Sequence, residues 1–227
     1  MKPWLLAFLI GALAPLDTGA DTVAGEKVLF QEEFTGQIDK GWTWLREDPA
    51  AWRLENGSLV LRPSPEGLHD YSGKHARYSK NSLFRPLPNS SQPLAVEVHV
   101  EGEPQLQYEH AGPVWYVDDD NFVSLFQENI SGKVTLQMVT FKDGKGSYIV
   151  VPYEPRGVWI RLVMAAGKIT TLYRASEKDE WSTVGKSDAP VPGGAARVGL
   201  EAGGAPKEMP REVSFRSFRI LELAGGK

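Results

Sequence analysis

The sharpest chemical motif in the chain is Glu97-Val-His-Val-Glu101, two carboxyl groups flanking an imidazole. It overlaps Leu94–Val100, where apolar and polar residues alternate as in a β-strand. A strand places Glu97, His99 and Glu101 on one face and Val96, Val98 and Val100 on the other. Paired carboxyl groups suit glycosidic-bond cleavage by a nucleophile and an acid, which in retaining chemistry stand about 5–5.5 Å apart. At ~3.3 Å per residue the α-carbons of Glu97 and Glu101 are about 13 Å apart, so their side chains would have to converge. A polar outer face opposite three core valines is the favoured reading. Asp118-Asp-Asp-Asn121 clusters oxygens as a hard cation requires. It lacks the glycine and distal glutamate of a calcium loop and is read as a hairpin turn. His69-Asp70-Tyr71 and His75 could polarise a nucleophile or hold a metal. No Gly-x-Ser-x-Gly or His-Glu-x-x-His motif accompanies them. They belong to Pro63–Asn81, polar and aperiodic, which reads as a long surface loop bordering a groove or simply facing water.

The fourth constellation is aromatic. If Ala111, Pro113, Trp115 and Val117 face the core, then His110, Gly112, Val114 and Tyr116 face away. The same alternation turns Phe126 and Glu128 outward on the next strand, and Trp159 and Arg161 outward on Val158–Ala165. Sugar rings offer apolar C–H faces to aromatic rings and hydroxyls to fixed polar groups. His110, Tyr116, Phe126, Glu128, Trp159 and Arg161 are therefore the candidate carbohydrate-binding residues. A second reading stands beside this one. The Pro63–Asn81 segment would cover the face, and the aromatics would form a second small core.

These residues must be positioned by strands, because helical periodicity is nearly absent. Short apolar or alternating runs are punctuated by Gly, Pro, Asn and Asp every eight to twelve residues, the pattern of an antiparallel sandwich. The runs are Lys27–Phe34, Trp52–Arg53, Ser58–Arg62, Leu94–Val100, Gln107–Val117, Phe122–Glu128, Val134–Phe141, Tyr148–Val151, Val158–Ala165, Ile169–Ala175, Ala196–Gly203 and Val213–Leu223. That many short strands would expose many edges unless two sheets stack face to face.

Composition narrows the partners. The chain has 227 residues, a formal net charge of −4 and no cysteine. The charge gives no footprint for nucleic acid. The missing cysteine excludes disulfides, thiol catalysis and cysteine–zinc sites. Met1–Ala20 reads as a secretory signal cleaved after Ala20, with Lys2, an apolar run from Trp4 to Leu13 and a small-residue exit. The expectation is a secreted or periplasmic protein, off the membrane once the signal is removed, with residues 21–227 forming one domain.

Several motifs resemble those of concanavalin A-like lectin/glucanase sandwiches, above all the C-terminal domain of family-43 β-xylosidases and related uncharacterised bacterial domains. They are Phe30-Gln-Glu-Glu-Phe34, Gly41-Trp-Thr-Trp-Leu-Arg46, Trp52-Arg-Leu-Glu-Asn-Gly-Ser-Leu59 and the stretch Tyr108–Leu125. Val158-Trp-Ile-Arg-Leu162, the Leu172–Trp181 hairpin, Val198-Gly-Leu200 and Phe215-Arg-Ser-Phe-Arg-Ile220 extend the likeness over the mature chain. The resemblance implies an all-β, two-sheet antiparallel jelly-roll sandwich. It also implies an oligo- or polysaccharide partner, with the protein acting as a non-catalytic, lectin-like module accessory to polysaccharide breakdown. Glu97-x-His99-x-Glu101 is similar to the E-x-D-x-E strand of family-16 glucanases, so a glycoside hydrolase using Glu97 and Glu101 is the alternative. His99 replaces the central aspartate of that motif. A structural or protein-interaction domain is the third reading. No catalytic residue is assigned. The calcium ion of many such sandwiches is not expected, because Arg216 stands where the family has an aspartate, leaving Glu32 or Glu33 as acidic ligands.

Overall fold

The computed structural model describes residues 25–69, 79–154, 156–190, 195–205 and 211–224. The expected leader Met1–Ala20, together with Asp70, Tyr71 and His75, lies outside the described residues. The strands, numbered along the chain, begin with β1 (Glu26–Glu32), β2 (Thr43–Leu45), β3 (Trp52–Glu55), β4 (Ser58–Leu61) and β5 (Ser82–Pro86). Next come β6 (Leu94–Glu101), β7 (His110–Asp118), β8 (Asn121–Ile130), β9 (Lys133–Lys142) and β10 (Lys145–Pro152). The last are β11 (Val158–Ala165), β12 (Lys168–Arg174), β13 (Ser182–Asp188), β14 (Arg197–Gly203) and β15 (Val213–Leu223).

They form two antiparallel sheets. One runs β13-β12-β11-β6-β15-β4-β3, with β1 added against β15. The other runs β10-β9-β8-β7-β14-β5-β2. Stacked sheets bury one face of each strand, and the side-chain period of two decides which residues meet. Val96, Val98 and Val100 of β6 lie in the shared core with Trp115, Val123, Leu125, Ile160, Leu162, Val198, Leu200 and Phe215. The expected all-β, two-sheet antiparallel sandwich is the observed fold.

Local chemistry sets the turns. Asn56-Gly57 joins β3 to β4 with φ of 51° and 73°, and Ser131-Gly132 joins β8 to β9 with φ of 54° and 77°. Consecutive positive φ values are those of the hairpin turn whose twist matches the flanking strands. Asp118 Oδ1 accepts from the Asp120 amide and from Asn121 Nδ2, both at 2.9 Å. The acidic run is thus the β7–β8 turn, bonding its own backbone.

Three strands were not legible as runs. β2 is only three residues long, and β5 ends in Pro86. β13 is an edge strand with a single buried residue, Val184, so it carries no apolar alternation.

Candidate functional site

The six outward candidates divide between the two sheets. His110 and Tyr116 lie on β7 and Phe126 and Glu128 on β8, all in the seven-stranded sheet. Trp159 and Arg161 lie on β11 in the eight-stranded sheet. Alternation correctly turns all six away from the shared core. It carries no information about which sheet a strand joins, so the expected single face is two faces on opposite sides of the sandwich. The separation is a correction to the joint site drawn from the sequence.

On the seven-stranded sheet the outward face is closed. Leu68, Phe84, Val114, Tyr116, Phe122, Phe126, Val139 and Phe141 form a second buried cluster. Leu68 and His69 come from the long loop, and both are buried. The described part of that loop therefore covers this face, as in the second of the two readings. The His69 ring stacks on Phe126 at 5.3 Å and 16° and lies 4.5 Å from the His110 ring. Gly67 passes so close above His110 that a β-carbon there would stand 2.6 Å from His110 Cε1. Only glycine permits that approach. Tyr116 stacks on Phe84 and donates to Asp119 Oδ1 at 2.8 Å. Burial, reinforced by that acceptor, pushes its hydroxyl pKa upward.

Beneath the loop lies a polar knot. His110 and Glu128 are cross-strand partners, and Glu201 sits on the neighbouring strand β14. Glu128 and Glu201 are both 0 % exposed. His69 Nε2 is 3.8 Å from Glu128 Oε1, and His110 Nε2 is 3.2 Å from Glu201 Oε2. Glu201 Oε1 accepts from Ser79 Oγ at 3.0 Å and from the Leu68 amide at 3.3 Å, tying both ends of the loop to the sheet. Burial disfavours a proton on His110, but the adjacent Glu201 outweighs it and lifts the imidazole to about 9. Burial alone would raise Glu201, yet His110 holds it below the usual carboxylate range. Burial, aided by His110, pushes His69 down.

The outward face of the eight-stranded sheet is closed by its own side chains. Arg161 Nε donates to Glu97 Oε1 at 2.5 Å, and the far end of the guanidinium grips both oxygens of Glu26 at 2.7 and 3.2 Å. Arg161 and Arg174 lie over Trp181 at 4.5 and 4.4 Å, and His99 stacks on Trp159 at 4.9 Å. Trp159 is only 7 % exposed. Glu101 pairs with Arg216 at 2.8 Å. Glu97 and Glu101 thus share a face, as alternation requires, but each is engaged by a different arginine. Near the first and last strands, Glu32 accepts from the amides of Phe34 and Asp39, and Glu33 from the Ser217 hydroxyl.

At one end of the sandwich the surface does open. A cleft of about 360 Å³ is lined by His99, Glu103, Gln105, Arg156, Arg211 and Glu212, among others. Glu103 pairs with Arg156 at 3.2 Å and Glu109 with Arg211 at 3.4 Å. The Arg156 side chain is 87 % exposed. Tyr108, in the β6–β7 loop that borders the cleft, is 43 % exposed. Sequence reasoning missed this cleft because most of its residues come from loops, which have no periodicity to read. It also missed Glu201, for which a signal existed: a lone glutamate within Val198–Ala202, otherwise small and apolar.

The fold and its connectivity define a concanavalin-type β-sandwich. Residues 31–200 match the family of β-xylosidase C-terminal concanavalin A-like domains, and the chain belongs to that family. A search of curated proteins finds no match. Among solved structures, a family-43 protein of Bacillus licheniformis superposes with a TM-score of 0.73 at 20 % identity, covering 85 % of this chain and 39 % of that one. A xylan β-1,4-xylosidase of Bacillus halodurans gives 0.68 at 22 %, covering 85 % and 39 %. A functionally unknown protein of Saccharomyces cerevisiae gives 0.64 at 21 %, covering 82 % of this chain and 98 % of that one. The chain therefore spans about two fifths of the bacterial proteins and nearly all of the yeast one.

Proposed function

We propose that this protein is an exported, non-catalytic carbohydrate-recognition domain that accompanies polysaccharide breakdown, and that it takes sugar at the end cleft. Membership of a family of β-xylosidase C-terminal domains supports the polysaccharide context. The observation that carries the site is the solvent-facing Glu103–Arg156 pair, set in the cleft with Arg211, where the loop that supplies Glu103 also carries exposed Tyr108. Paired donors and acceptors match the vicinal hydroxyls of a sugar, and exposed pairs of this kind hold each other only weakly, so they are free to re-partner. Tyr108 supplies an aromatic surface for a sugar's apolar face. A non-catalytic role is supported by the engagement of Glu97 by Arg161 and of Glu101 by Arg216, which leaves neither carboxyl group aimed at a shared reacting atom.

Calorimetry with xylo-oligosaccharides, arabinoxylan and glucuronoxylan tests the reading on the chain lacking Met1–Ala20. Arg156→Ala and Tyr108→Ala should each weaken binding at least tenfold without lowering the melting temperature. Silence across these ligands, or binding indifferent to both substitutions, overturns the end cleft as the site. Export is tested by the mass of the protein recovered outside the cytoplasm. A mature N-terminus at Asp21 is expected, and an intact Met1 in the cytoplasmic fraction refutes it.

A further inference from the structure

We propose that His69, His110 and Glu128 form a buried binding site for a divalent transition metal, zinc above all, which clasps the long loop to the seven-stranded sheet. One potential ligand atom from each residue lies within 4.8 Å of the others, and all three residues are buried. A tetrahedral zinc site with bonds of about 2.0–2.1 Å places its ligands about 3.3 Å apart, so side-chain rotations of an ångström or so close the set. Glu201 Oε2, 3.2 Å from His110 Nε2, is placed to complete a four-ligand shell.

Three observations point to a cation here. First, His110 Nδ1 lies 2.8 Å from the Tyr108 carbonyl oxygen, which can only accept, so the proton is on Nδ1 and the Nε2 position is turned into the knot. A metal-binding histidine is commonly held in this way, its other ring nitrogen donating to a backbone carbonyl. Second, both carboxylate oxygens of Glu128 are buried without a hydrogen bond, as is Glu201 Oε2. Native interiors rarely leave such acceptors unsatisfied, and an unseen ion is one of the standard reasons. Third, two fully buried carboxylates carry two negative charges, which one divalent cation balances when both imidazoles bind it in their neutral form. Imidazole and carboxylate together select zinc or its first-row neighbours over calcium, which takes six to eight oxygens. With four protein ligands and no open position the site is of the structural kind, and its effect is to fix the loop.

The test uses protein without a histidine tag, stripped with a chelator and then titrated with Zn²⁺ or Co²⁺. One equivalent of Zn²⁺ should bind, and at a hundredfold excess over Kd the melting temperature should rise by about 5 °C or more. Co²⁺ should give the intense visible absorption of a tetrahedral centre. His69→Gln and Glu128→Gln should each weaken binding at least a hundredfold and abolish the cobalt spectrum. The chain has four histidines. The control His75→Gln/His99→Gln removes the other two and should bind metal as the parent does. Binding that survives His69→Gln and Glu128→Gln, or that is lost in the control, overturns the site. So does a melting temperature unmoved by Zn²⁺, Co²⁺ or chelator, which would mean that protons alone neutralise the knot. Sugar binding at the end cleft is read separately, so either idea can fail without the other.

Discussion

Arg161→Met is the substitution that best separates a structural Glu97 from a catalytic one. Glu97 is 1 % exposed, and Arg161 meets it through Nε at 2.5 Å with a second guanidinium contact to the same oxygen. Removing the arginine leaves the carboxylate buried among β6, β11 and β15 without its hydrogen-bonded counter-charge, with Arg174 acting on it only through space. Breaking one side of a buried pair costs about 3–5 kcal/mol, because the surviving charge keeps its desolvation penalty. Glu26, the other partner of Arg161, has a side chain 23 % exposed and can turn to water, adding at most about 1 kcal/mol. For a domain of this size each kcal/mol lowers the melting temperature by about 2–4 °C, so the expected drop is about 6–20 °C. The double variant Glu97→Leu/Arg161→Met removes both charges and should recover most of the loss, since hydrophobic replacement of a buried pair is often neutral. Urea unfolding of the parent, the single variants and the double variant gives the coupling directly. A loss below about 1 kcal/mol in Arg161→Met would refute the buried-pair reasoning. Reducing-sugar release by the parent, abolished in Glu97→Gln with the fold intact, would refute the structural role and restore the hydrolase alternative.

Three further outcomes are expected. Gly67→Ala would drive a β-carbon to 2.6 Å from His110 Cε1 and 2.7 Å from Nε2. It should cost about 1–3 kcal/mol in urea unfolding as the loop lifts, and a neutral result would mean that the loop does not lie on His110. Burial against Trp159 pushes the His99 pKa below its ordinary value, outweighing Glu101 nearby. The unfolded chain then takes up this proton first, so the contribution of His99 to stability is complete above about pH 6.5 and is lost as the pH falls through 6.5 to the folded value. The stability difference between parent and His99→Gln, measured by denaturant titration, should therefore shift against the parent between pH 7 and pH 5, and a constant difference would contradict the assignment. Tyr153 donates to the Gly157 carbonyl at 2.7 Å from a buried position. Tyr153→Phe should cost about 0.5–1.5 kcal/mol, and hydrogen exchange at the β10–β11 connection should speed up. Unchanged exchange there would mean that this bond does not hold the connection.

How much was legible follows from what periodicity encodes. The β6 valines, Trp115, Ile160 and Leu162 are in the core where alternation placed them, and His110, Tyr116, Phe126, Glu128, Trp159 and Arg161 all point away from it. A period of two fixes which side of its own strand a residue occupies, and here it did so reliably. Sheet membership is set by long-range pairing, and nothing within Val158–Ala165 distinguishes a neighbour of β6 from a neighbour of β7. For the same reason the sequence could register His69 and His110 as separate histidines but not their approach to 4.5 Å. That approach depends on a loop folding back over a sheet whose partners lie far apart in the chain. The choice between an open aromatic face and a second core rested on the same missing information. Leu68 and His69, buried on Phe126 and its neighbours, decide it for the described residues.

The two outer faces reach closure by different physics, and the difference bears on where a ligand can enter. On the seven-stranded sheet, phenylalanines and Tyr116 are sealed by a loop, and the polar groups trapped beneath it must be neutralised in place. Opening that face would expose a contiguous apolar surface of the kind monomeric proteins avoid. On the eight-stranded sheet, arginines lie over Trp159 and Trp181, and the charge of Arg161 is met by Glu26 and Glu97. A sugar entering there would have to displace cation–π contacts and a buried ion pair together, at a cost that a few hydroxyl hydrogen bonds do not offset. At the cleft, by contrast, the Glu103–Arg156 pair is in water, where exchanging one partner for another costs about 1 kcal/mol or less. The energetics thus favour recognition at the end of the sandwich, where the chain is least periodic.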